Sequence, residues 1–315
     1  MAKQRIQSEI RLIIILAILS AVFFGLYFGI SAISGHKEDN TQVLIDKAVM
    51  DEIPVSIEVM REDGSFELLK KDTGWLLDED PELPISNLRV TEIRTVLKYF
   101  SAGRIIEDAG SMFGTFGLDK PEATVKLTAE GKEKTYLVGD YNPVTAEYYV
   151  SLENDDTVYL IPGTDGASLI RPLKDYVDDP AVSGLSISEI AGLRIEKGSF
   201  TADIDYEDSR YVVSTMMSSY ETSRQTVMQI LDCFAQGAYR CVAIDPSKEE
   251  VVGYGLDDPE ISISFVRLDN EEYDLKIGED RDGNCYICQN GTKVIYSFDR
   301  QRFDTLAETI ETGLN

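Results

Sequence analysis

Gly117-Leu118-Asp119-Lys120-Pro121 and Gly255-Leu256-Asp257-Asp258-Pro259 are one turn written twice, 138 residues apart. An aromatic precedes each copy, Phe116 and Tyr254. Glycine there ends a helical turn in left-handed geometry, and leucine folds back as the hydrophobic contact of that cap. Asp-x-Pro then leads into a strand, because proline fixes φ and biases its predecessor to extended geometry.

The flanking sequence aligns as well. Val227, Ile230, Leu231 and Phe234 follow Ile93, Val96, Leu97 and Phe100 at a constant 134 residues. Both stripes have the spacing of an amphipathic helix on a sheet. Val138-Gly139 recurs as Ile277-Gly278. The chain therefore reads as a tandem duplication, with a first repeat at 53–182 and a second at 183–315. The expected class is α+β, each repeat an antiparallel sheet with packed helices.

In the first repeat, strands are expected at Ile53 to Met60, Phe66 to Lys70 and Trp75 to Leu77, on alternation and turn residues. Ser86 offers an N-cap to a helix reaching Ser101, with Gly103 as its stop. Ser111 to Phe116 reads as one helical turn. Ala123 to Thr128, Lys134 to Val138, Glu147 to Leu152 and Thr157 to Ile161 read as a meander, closed by a helix at Ala167 to Tyr176. The second repeat follows suit. Ser218 to Glu221 has capping-box spacing, and Gly237 stands where Gly103 stood. The final helix is expected at Arg302 to Glu311.

Leu12 to Ile33 is 22 residues without a charge. As a helix it would span about 33 Å, enough for the hydrocarbon core of a bilayer. It is too long for the apolar region of a cleaved signal peptide, and 31–35 is a poor cleavage site. Lys3, Arg5 and Arg11 precede it, so 1–11 is expected in the cytoplasm, 12–33 across the membrane, 34–52 as a connector, and the bulk of the chain outside.

The chain holds 56 Asp and Glu against 30 Lys and Arg, a net charge of −26. The first 35 residues carry +2, so the rest carries −28. Such a body repels phosphate backbones, which argues against a nucleic-acid partner. His36 is the only histidine. That removes Ser-His-Asp and Cys-His catalysis and His-ligated zinc from the body. No phosphate-cradling glycine loop is present.

Cys285-Tyr286-Ile287-Cys288 has CxxC spacing, but on a strand its sulfurs point to opposite faces. With Cys233 and Cys241 it lies only in the second repeat, which argues against a disulfide framework. Trp75, the only tryptophan, reads as core. The acidic clusters are 78–80, 178–179, 203–208 and 279–282. They read as solvated loops, with a carboxylate-based hydrolase as a remote alternative. Asp280 to Asn284 resembles part of a calcium loop but lacks its closing Glu. Asp119 and Asp257 are the acids held in both copies, and an Asp at that place in a turn commonly accepts backbone N–H bonds. No catalytic, cofactor or metal residue is assigned.

The order of elements resembles the domain-of-unknown-function 4340 family. The carrying residues are Gly117, Leu118, Asp119, Pro121 and Gly139, with Gly255, Leu256, Asp257, Pro259 and Gly278. The resemblance implies a single-span bacterial membrane protein, associated with ABC-type transport systems related to gliding-motility auxiliary proteins. It brings no catalytic residues. The expected function is a membrane-anchored extracytoplasmic auxiliary or scaffold protein with transport-complex partners. The alternative is an extracytoplasmic module binding a solute, cation or wall polymer.

Overall fold

The computed structural model describes residues 42–49, 52–235 and 239–314. The span expected at 12–33, His36 and Gly237 lie outside them. Among the described residues no helix is long and apolar enough to cross a membrane.

The described part of the chain is α+β, with two large antiparallel sheets and a separate two-stranded pair. It opens with β1 (Val43–Leu44), β2 (Ser56–Arg61), β3 (Gly64–Lys71) and β4 (Gly74–Leu77). Helix α1 (Asn87–Lys98) leads to β5 (Ser101–Ala102) and β6 (Arg104–Ile106). A meander follows: β7 (Ala123–Ala129), β8 (Lys132–Asn142), β9 (Glu147–Leu152) and β10 (Val158–Pro162), then α2 (Gly163–Leu169). The first sheet runs β4-β3-β2-β7-β8-β9-β10-β6, and β1 pairs separately with β5.

The second sheet uses β11 (Ile190–Lys197), β12 (Phe200–Glu207), β13 (Arg210–Thr215) and β14 (Ser219–Thr222). Then come α3 (Arg224–Asp232), β15 (Arg240–Ile244) and α4 (Lys248–Gly253). It closes with β16 (Ile261–Arg267), β17 (Glu272–Glu279), β18 (Cys285–Gln289), β19 (Val294–Phe298) and α5 (Arg300–Gly313). Its order, β14-β13-β12-β11-β16-β17-β18-β19-β15, repeats the first with β14 added at the edge.

Local chemistry explains the strands. In β7, buried and half-buried residues alternate along all seven positions, with Val125 and Leu127 inside. Glu130 and Gly131 turn β7 into β8 with positive φ at both, and Asp208 and Ser209 do the same between β12 and β13. Two-residue turns of that geometry match the twist of antiparallel strands. On α1, Val90, Ile93 and Leu97 are buried, and on α3, Val227, Ile230 and Leu231. Phe100 and Phe234, just beyond the two helices, are buried against aromatic rings: Tyr136 and Tyr159 for the first, Phe265 and Phe298 for the second.

Three expectations need correction. Gly103 does not cap α1, which ends on Tyr99; it lies between β5 and β6 and donates its N–H to Leu160. Ladder bonding takes over before a glycine stop is needed. The helix expected over 167–176 breaks at Pro172, giving α2 and a separate 3₁₀ turn, Leu173–Tyr176. Proline has no N–H to continue a helix and disfavours helical geometry at Arg171. Ser218 does not begin a helix. Residues 219–222 form β14, and Ser223 caps α3 by accepting the Thr226 N–H at 3.1 Å.

One buried cluster runs from Trp75 and Phe100 in the first half to Phe234 and Phe303 in the second. Val182 lies in it at the crossing, and its N–H donates to Gln289 Oε1 at 2.9 Å. Tyr296 donates to the Asp178 carbonyl at 3.0 Å, and Lys293 pairs with Asp80 at 2.7 Å. A shared core couples the halves energetically. Unfolding in urea should therefore be one transition. Trp75 fluorescence, which reports the first half, and exposure of the four buried cysteines, which reports the second, should give coincident midpoints. Two separated midpoints would show that the halves are energetically independent.

Candidate functional site

The repeated turns form two matching joints. Gly117 has φ 70° and ends the 3₁₀ turn Gly110–Phe116; Gly255 has φ 68° and follows α4. The Leu118 N–H reaches back to the Phe113 carbonyl at 2.9 Å, and the Leu256 N–H to Val251 at 3.1 Å. These six-to-one bonds close the helix ends.

Each glycine also meets a strand. A Cβ on Gly117 would stand 2.9 Å from the Asp140 backbone nitrogen, and one on Gly255 the same distance from the Glu279 nitrogen. In the other direction, a Cβ on Gly139 would collide with the Phe116 carbonyl, and one on Gly278 with the Gly255 carbonyl. Backbone therefore lies on backbone at both joints.

The two leucines are buried in satellite clusters apart from the main core. Leu118 packs with Ala109 and Val158, and Leu256 with Cys288 and Ile295. Phe116 lies against Tyr149 with ring centroids 4.8 Å apart, and Tyr254 against Tyr286 at 4.5 Å. Asp119 and Asp257 are exposed, and among the described residues neither carboxylate accepts a hydrogen bond. Pro121 and Pro259 are half-buried at the entry to β7 and β16.

The repeat extends one residue beyond the quoted turn, to Glu122 and Glu260. Partial desolvation, then the charge of Asp140, pushes the carboxyl of the exposed Glu122 up. Partial desolvation, then Glu279, does the same for the exposed Glu260. Each Glu lines a surface pocket, of about 440 Å³ with Arg61 and Ile170, and of about 540 Å³ with Lys197 and Ile310. The alignment already held this signal, one position past the proline.

A larger cleft of about 770 Å³ lies where the two halves meet. Its walls include Arg89, Arg171, Lys174 and Arg240, with Asp175, Asp178 and Asp179. Arg171 stands 2.8 Å from Glu92, without hydrogen-bond geometry, and 5.7 Å from the Tyr176 ring centre. Arg89 reaches the same Glu92 at 3.3 Å. Burial pushes the Glu92 carboxyl up, but the two guanidiniums outweigh it and hold the carboxyl below its ordinary value. Arg89, the neighbours Arg171 and Lys174, and Arg240 come from three distant stretches of chain, so no spacing in the sequence brings all four together.

The remaining candidates have other partners. All four cysteines are free and buried, and desolvation pushes each thiol up to about 11. Cys285 lies in the main core and Cys288 in a satellite cluster, on opposite faces of the sheet. Asp80 pairs with Lys293, Asp203 with Arg194, and Glu279 with Arg300. Asp280 accepts the N–H groups of Asp282 and Asn284, each at 2.9 Å. It also accepts from the Asn284 amide at 2.8 Å and the Tyr286 hydroxyl at 3.0 Å. Its carboxylate thus closes its own loop.

Residues 75–212 match the family model described as "Domain of unknown function (DUF4340)", the family that the repeated motifs resemble. No curated protein and no solved structure matches the chain.

Gly278→Ala should destabilise the fold by at least about 2 kcal/mol, since the carbonyl it would strike is backbone and cannot swing away. Asp257→Asn should leave stability within about 0.5 kcal/mol. Urea unfolding of both variants checks the contrast. Acid titration checks Asp280. The Asn284 side-chain and backbone donors hold its carboxyl down at about 2. A depressed carboxyl stabilises the fold above its unfolded value of about 3.9 and loses that contribution as pH falls toward 2. Asp280→Asn should therefore be less stable at neutral pH and should lose less stability than wild type between pH 4 and 2.

Proposed function

We propose that this protein is a membrane-anchored, extracytoplasmic, non-enzymatic scaffold subunit of an ABC-type transport complex. The observation that supports the reading best is the use made of the repeated motif. In both copies its glycines sit in backbone-on-backbone joints and its leucines in packed clusters. What the chain repeats is architecture. A core cluster drawn from both repeats ties them into one body, and each large sheet ends on two edge strands. Such a body suits protein contacts held at a fixed place. The apolar run at 12–33, flanked by Lys3, Arg5 and Arg11, supplies the anchor in this reading. The transport setting comes from the family resemblance.

A second reading, an extracytoplasmic solute-binding module, is favoured by the cleft of about 770 Å³ between the halves. Its size falls within the range of small-molecule sites.

The test is affinity purification of the full-length chain from its native membrane in mild detergent. A transporter ATPase and a multi-span permease should co-purify. Recovery of the chain alone, from membranes where those subunits are present, would sink the scaffold reading. In the same cells the full-length chain should resist alkaline carbonate extraction, whereas a chain lacking 12–33 should be released.

A further inference from the structure

The geometry points to an oxyanion site in the cleft between the two halves, taking a solute that carries phosphate or carboxylate groups. This goes beyond the scaffold reading and does not depend on it. The chain as a whole has nearly two acids for every base, 56 against 30. In the cleft the count is even, with Arg89, Arg171, Lys174 and Arg240 against Asp175, Asp178 and Asp179 in the wall and Glu92 beside it. Four cations from three stretches of chain line one concavity, with Arg89, Lys174 and Arg240 exposed and Arg171 half-buried. Two of them, Arg89 and Arg171, share the single carboxylate of Glu92. The other two, Lys174 and Arg240, form no ion pair among the described residues.

Asp178 accepts the backbone N–H of Asp179 with one carboxylate oxygen. The cleft is also the place where α1 begins. Ser86, Asn87, Leu88 and Arg89 line it. Ser86 makes no side-chain cap, and no acid stands in the first turn. The first-turn N–H groups therefore add donors and a positive dipole end on the same wall as Arg89. Tyr239 and Tyr296 supply ring surface, since their hydroxyls are already spent on the Phe234 and Asp178 carbonyls at 3.0 Å. Guanidiniums, an ammonium and helix amides suit oxygens of a planar or tetrahedral anion. The volume leaves room for the rest of a small molecule.

The test titrates the full-length detergent-solubilised protein at low ionic strength with pyrophosphate, with citrate, and with uncharged glucose. Binding is read by calorimetry and by amide hydrogen exchange. Pyrophosphate or citrate should bind with protection of the amides at 87–89 and 239–241, and glucose should not bind. Preference for one anion over the other tells phosphate from carboxylate chemistry. Lys174→Gln and Arg240→Gln should each weaken binding about tenfold, the loss of one charge-assisted hydrogen bond. Lys120→Gln, on an exposed turn remote from the cleft wall, should not. Absence of binding by either anion would overturn the proposal. So would binding that protects other amides, or that the two cleft variants leave unchanged. The exchange measurement on wild-type protein decides the matter even if a variant fails to fold.

Discussion

Everything in this chain hangs on two places where backbone rests on backbone. At the first joint the Phe116 carbonyl occupies the space a side chain at 139 would need, and at the second the Gly255 carbonyl does so at 278. Only glycine allows a helix end to lie that close to a strand. The contact fixes the angle at which the chain leaves the helical turn and enters β7 or β16. Those strands pair with β2 and β11, at the centre of each sheet. A shift at the joint would therefore misplace the middle of the sheet, where antiparallel register is most constrained by burial on one face.

The joints also explain how each sheet covers both faces. One face packs on the shared core through the two long stripes, Val90-Ile93-Leu97 and Val227-Ile230-Leu231. The opposite face would be bare along β9 and β10, or β18 and β19. The folded-back leucine and its tilted aromatic pair cover it, with Leu118 over Val158 in one half and Leu256 over Ile295 in the other. The short helical turn before each glycine is thus a lid on the outer face. This is why an aromatic precedes each glycine and a tyrosine sits on the neighbouring strand.

What the sequence displayed was whatever depends on near neighbours. The alternation in β7, the bounds of β9, and the stripe on α1 are short-range patterns, and each residue's neighbour along the chain is also its neighbour in space. Gly103 was misleading because a glycine shortly past a helix looks like a stop, while β1, far away in sequence, already captures the backbone at 101–102 and β10 takes 104–106 just beyond. The capping-box spacing at 218–221 was misleading for a related reason. An edge strand pairing with β13 competes for the same residues and wins. The basic wall of the cleft was invisible, since Arg89, Lys174 and Arg240 share no local pattern and meet only after two sheets have packed.

The matched family span carries a last consequence. From 75 to 212 inclusive it is 138 residues, the spacing between the two turns, so it covers one period of the repeat. Its phase differs from that of the sheets. It begins on β4 and ends in β13, taking most of the first sheet and only the opening hairpin strands of the second. Within the first sheet it omits β2 and β3, the strands that join β4 to β7. A unit cut at those ends would leave β4 without a neighbour and β7 with an open edge, and exposed edges of that kind invite foreign pairing. The period that is visible as sequence is therefore not the piece that closes a sheet. Hydrogen bonding sets the structural repeat, from β2 to α2 and from β11 to α5, and the shared core then joins even those two into one body.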